Sequence, residues 1–75
     1  MHEQIKRIMA DLLDLDPASI DGSTLKDNTP AWDSLSHINL VVALEQEFGV
    51  SFDLHEIESM LSYDDIVQIV DGKIG

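Results

Sequence analysis

The chain has 75 residues, no cysteine, and 15 acids against 4 bases, for a net charge of −11. That length predicts one small domain over residues 1–75, and no disulfide or thiolate metal site can staple it. Repulsion from phosphates argues against nucleic acid and against anionic membrane surfaces as partners.

The hydrophobic fraction is 44% but the aromatic fraction only 5%, which suits helices packed through Leu, Ile and Val. The bases are Lys6, Arg7, Lys26 and Lys73, which leaves residues 27–72 with acids alone. Such a surface suits basic protein partners met in fast, salt-sensitive encounters. It equally suits a solvated face kept for solubility. The start, "MHEQIKRIMADLL", has charges spread through it and no unbroken apolar segment of a secretory signal. No apolar run reaches the length of a membrane span. The expected compartment is the cytoplasm, without membrane insertion.

In chain order, residues 3–14 read as an amphipathic helix. Ile5, Ile8, Met9, Leu12 and Leu13 recur at the spacing of one face of a 3.6-residue period. Residues 15–32 form a long connection. Asp16 before Pro17 predicts a single helical turn, and "DGST" predicts a turn. Leu15, Ile20 and Leu25 are spaced as anchors that pin an ordered loop to the core. Residues 34–48 form the strongest helix, capped by Asp33 or Ser34 and stopped by a left-handed Gly49. Asp53 and Glu56 have the spacing of a capping box, opening a short third helix over about residues 54–60. Ser62 and Asp65 repeat the signal before a last helix over 63–71, with Gly72 as its stop. The expected fold is all-α: a small four-helix bundle with a long loop between helices 1 and 2 and a short helix 3.

On the helix 34–48, Leu40, Val41, Leu44 and Phe48 make one apolar strip, and Leu35, Ile38 and Val42 make a second. Glu45 falls inside the second strip, where an unpartnered carboxylate could not be buried. The strip is therefore expected to be at least partly exposed, as a protein-binding surface would be. The competing arrangement is a central helix buried nearly all round, with Glu45 at its edge.

Ser34 stands at a helix N-terminus, where backbone N–H groups and the helix dipole favour an anion. No base oriented by a third group accompanies it, so Ser34 is not a catalytic nucleophile. "DSLSHINLVVALEQEFGV" resembles the modification segment of acyl carrier proteins and related carrier domains. The order of helices around it resembles the same family across essentially the whole chain.

The resemblance implies that Ser34 carries 4′-phosphopantetheine, taken from coenzyme A, as a phosphodiester. Asp33 and Leu35 are then the flanking positions read by the phosphopantetheinyl transferase. Leu35, Ile38, Val42, Glu45 and Glu47 match partner-facing positions, and Phe48, Phe52, Ile57 and Met60 match positions that line or cap an acyl-chain interior. The arm would supply the thiol this cysteine-free chain lacks, with acyl groups held as thioesters. The implied protein is a carrier rather than an enzyme. Its implied partners are the transferase, an acyl-loading ligase or acyltransferase, and a ketosynthase or other acyl-processing enzyme with a basic docking surface. It is expected to act as a monomer.

Three letters depart from the fatty-acid pattern. Ser36 and Asn39 stand where those carriers usually have acids, and Trp32 replaces a small residue. This favours a specialised stand-alone carrier in a secondary-metabolite, polyketide-like or polysaccharide-linked pathway over one for fatty acid synthesis. Trp32, Ser36 and His37 are the places to look for its choice of partner. An aminoacyl or peptidyl carrier would use the same serine, and a non-carrying helical adaptor would use the same fold. A metal site is not expected: "DLDPAS" begins like a calcium loop, but Ala18 and Ser19 replace the acid and glycine it needs. "HEIE" offers a His and two Glu on a short helix, while His2 and His37 are scattered.

Overall fold

A computed structural model describes all residues, 1–75. Four helices follow one another: α1 (His2–Leu13), α2 (Ser34–Phe48), α3 (Leu54–Glu58) and α4 (Tyr63–Ile74), with 3-10 turns at Pro17–Ser19 and Lys26–Asn28 in the long α1–α2 connection. The architecture is the all-α bundle that the periodicity predicts.

The core is made by one stripe from each long helix. Ile5, Met9 and Leu13 of α1, Leu40, Val41 and Leu44 of α2, and Ile66 and Val70 of α4 are buried against one another, with Ile20, Trp32, Phe52 and Met60 filling in from the connections. Burying one such aliphatic side chain contributes about 1.5–3 kcal/mol, most of it offset by the entropy of ordering the chain. Tyr63 joins α1 to α4: its hydroxyl shares a 2.8 Å hydrogen bond with His2 Nδ1, and Lys6 Nζ lies 5.6 Å from its ring centre.

The helix ends follow local chemistry. Asp16 accepts from the Ala18 N–H and opens the predicted turn at Pro17. Asp33, not Ser34, caps α2, accepting from the Ser36 N–H at 2.9 Å. Gly49 ends α2 at φ 64°, with open space where a Cβ would stand. Only the left-handed conformation itself therefore demands glycine there. The Asp53–Glu56 capping box is complete in both directions, and the Ser62 side chain accepts from the Asp65 N–H.

Four expectations need correction. Gly72 does not stop the last helix, which runs on to Ile74. Gly72 has no positive φ and meets no neighbour, and glycine inside a helix costs only about 1 kcal/mol. The first helix stops at Leu13, because Asp14 turns left-handed at φ 55°; an Asp tolerates that conformation better than most residues. The third helix is only five residues, since the N–H groups of Ser59 and Met60 tighten onto carbonyls two to four residues back. Leu25 is exposed rather than an apolar anchor. The loop is held at this point by backbone instead: Lys26 N–H donates to the Leu61 carbonyl at 2.8 Å, and Tyr63 N–H to the Thr24 carbonyl at 3.0 Å.

Candidate functional site

Ser34 is the first residue of α2 and is exposed. The capping bond at this end belongs to Asp33, which leaves the Ser34 hydroxyl outside that network. The Ser36 N–H bond is the main reason the Asp33 carboxyl is held below the usual carboxylate range. The cap is thus an anion fixed at the positive end of a 15-residue helix, where the dipole favours it.

From this end, a strip of apolar side chains runs down α2. Leu35 is 69% exposed, Ile38 59% and Val42 45%. Of the two arrangements open from spacing alone, the exposed strip is the observed one. The two carboxylates of α2 are engaged within the chain. Glu45 Oε2 accepts from the Phe52 N–H at 2.9 Å, and Glu47 Oε2 accepts from Gln4 Nε2 at 3.1 Å. Glu45 therefore lies beside an exposed strip and also has a partner, which answers its apolar neighbours on both counts.

The positions matched to an acyl-chain interior separate by depth. Met60 and Phe52 are buried, while Phe48 and Ile57 are half-buried and packed against the core from outside. The four lie at the end of α2, in α3 and in its two connections. Asp16, the second acid of the calcium-like stretch, is occupied as a turn cap.

Sequence reasoning missed the role of Trp32 and His37. Trp32 is 2% exposed and forms part of the core, so it cannot face a partner. Its indole Nε1–H donates to His37 Nδ1 at 2.9 Å, and His37 Nε2 lies 2.8 Å from the Ile57 carbonyl oxygen. An indole N–H can only donate, so Nδ1 must accept. Nε2 then carries the proton and donates to Ile57. The signal was present in the sequence as a lone Trp beside a cap with a His five residues on, but the third partner is a backbone carbonyl twenty residues further along.

Comparison with known proteins gives the family. A family described as the phosphopantetheine attachment site matches residues 3–71. An acyl carrier protein of Thermosynechococcus vestitus is 34% identical over 74 residues, covering 96% of this chain and 89% of its own length. The polyketide-8 synthase acyl carrier protein 2 of Streptomyces avermitilis is 32% identical over 74 residues, covering 97% and 84%. An acyl carrier protein of Sinorhizobium fredii is 34% identical over 70 residues, covering 92% and 88%. The family match and these relatives make the chain a carrier protein rather than an enzyme. This chain belongs to the acyl carrier protein family, whose cofactor is 4′-phosphopantetheine. No helix is long and apolar enough to cross a membrane.

Proposed function

We propose that Ser34 is the attachment point and that residues 1–75 act as a single carrier domain. The supporting observation is an exposed serine at the N-terminus of α2, within the segment that the family match spans. In the loading step the Ser34 hydroxyl oxygen bonds to the phosphorus that bears the pantetheine arm. The pyrophosphate bond of coenzyme A breaks, adenosine 3′,5′-bisphosphate leaves, and the serine proton is lost. The arm then ends in the chain's one thiol, and acyl groups ride on it as thioesters.

Asp33 and Leu35 flank the serine and present to the transferase one fixed charge and one exposed apolar side chain. Leu35, Ile38 and Val42 form the surface on which acyl-loading and acyl-processing enzymes dock, with Glu45 and Glu47 at its lower edge. Phe48, Phe52, Ile57 and Met60 cover the space an acyl chain would take. The carrier works in the cytoplasm as a monomer and serves a specialised pathway, secondary-metabolite, polyketide-like or polysaccharide-linked, since Ser36 and Asn39 leave the front of α2 less charged.

Intact mass tests the reading. Incubation with coenzyme A, magnesium and a broad-specificity phosphopantetheinyl transferase should add one phosphopantetheine and one titratable thiol, both absent in Ser34→Ala. A folded wild type that gains no mass with several transferases would sink it.

A further inference from the structure

α3 has no buried residue. Beyond the packing of half-buried Ile57 against the core, it is held to the rest of the molecule by polar bonds: the Lys73–Glu56 ion pair at 2.9 Å, the Glu45–Phe52 bond just before it, and the His37–Ile57 bond. The last of these is unlike the others, because its imidazole also holds Trp32. Trp32 stands two residues before Ser34, and His37 stands three residues after it. One ring therefore ties the backbone on both sides of the serine, through a core indole on one side and the first turn of α2 on the other, to a carbonyl of α3.

We propose that His37 is a positioning residue: it clasps α3 to the attachment-site end of α2, so that the setting of Ser34 and the position of α3 are coupled through the Trp32–His37–Ile57 bonds. The geometry gives the clasp a direction. Trp32 is anchored in the core and cannot follow α3, so movement of α3 either breaks the Ile57 bond or rotates the imidazole away from the indole. Both nitrogens of the neutral ring are used, which leaves no spare donor or acceptor to soften the change. The Ile57 carbonyl also accepts from the Met60 N–H at a longer 3.3 Å. Met60 is fully buried, so the clasp reaches the core from the α3 side as well. The role in presenting Ser34 rests on the carrier reading; the clasp itself does not.

The test uses the full chain and three variants. His37→Phe fills the space without the hydrogen bonds. His37→Gln restores one acceptor and one donor. Trp32→Phe removes the indole donor together with part of the buried ring volume. Hydrogen exchange at the Ile57, Ser59 and Met60 amides should quicken about tenfold in His37→Phe, the loss of roughly one hydrogen bond. Amides of α1 and α4 should change far less, and His37→Gln should recover much of the protection. Trp32→Phe should quicken the same amides and serves if His37→Phe does not fold. In the wild type, a scalar coupling across the indole Nε1–H···Nδ1 bond should be seen by nitrogen-15 NMR, and it is assignable at once because the chain has one tryptophan. In transferase assays, His37→Phe should raise KM for the carrier several-fold and leave kcat near wild type, since the serine hydroxyl is unchanged. Unchanged α3 exchange, an equal rise in all helices, no recovery with Gln, or an unchanged KM would each overturn the proposal. A wild type that takes up no phosphopantetheine would instead overturn the carrier reading, and the exchange pattern would still decide the clasp.

Discussion

The bundle of α1, α2 and α4 and the short α3 are held by different physics. The three long helices bury continuous aliphatic stripes, with Ile5, Met9, Leu40, Leu44, Ile66 and Val70 wholly removed from water. α3 has no fully buried residue: besides the partial packing of Ile57, it depends on a capping box, one ion pair and two bonds from α2. Burial is non-directional and is lost only when packing fails. A hydrogen bond contributes modestly, depends on geometry, and can be exchanged for water one bond at a time. One region should therefore melt as a unit and the other should open locally.

The largest expected effect is on the bundle. Leu44→Ala should lower the unfolding free energy by about 2–5 kcal/mol, as large-to-small core changes do, and exchange should quicken in every helix. Protection retained in α1 or α4 would show that the bundle is not one unit. Next is Glu45→Ala, which leaves the Phe52 N–H without its carboxylate. It should cost about 1–3 kcal/mol, with exchange quickening mainly from Phe52 to Met60. Glu45→Gln should restore most of that protection.

Acid and alkali separate the two regions. The Glu56 carboxyl is held low by the Asp53 N–H first and Lys73 second, so its contribution is complete above the ordinary carboxylate range and is lost as pH falls through the lowered value. α3 should loosen there, as should the turn held by Asp21, whose carboxyl is lowered by Ser23. Tyr63 runs the other way. Burial, then the charges of Asp64 and Glu3, push its phenol up from 10.0. Its contribution is complete below the ordinary phenol range and is lost as pH rises through the raised value. Circular dichroism followed with pH should show alkali attacking the bundle. A bundle indifferent to alkali would remove Tyr63 from its supports. The smallest effect is expected from Lys73→Met, which removes an exposed pair of a kind that contributes little: slightly faster exchange in α3 and an almost unchanged melting temperature.

The helices were legible in the sequence because their signals are local. The 3.6-residue stripe of α1, the Asp33 cap, the Gly49 stop and the Asp53–Glu56 box each lie within one helix, and the structure repeats them nearly residue for residue. Exposure of Leu35, Ile38 and Val42 was also legible, through the misfit of Glu45 among them. What could not be read depends on partners distant in the chain. Nothing near Glu45 points to the Phe52 N–H, nothing near His37 points to the Ile57 carbonyl, and nothing near Leu25 points to backbone pairing with residues 61–63. Gly72 misled because glycine stops a helix only where the chain turns left-handed, and no local letter distinguishes that from an exposed glycine the helix passes through.

The pairing of the long loop with residues 61–63 bears on how the chain reaches its fold. Residues 25 and 62 close a loop of about 36 residues around α2, Ser34 and α3, and the entropy of closure rises only slowly with such a length. The helices themselves need contacts only a few residues apart and form quickly. Refolding should therefore build α1, α2 and α4 first and zip this pairing last, so the serine would stand at the head of a formed helix before the loop around it is closed.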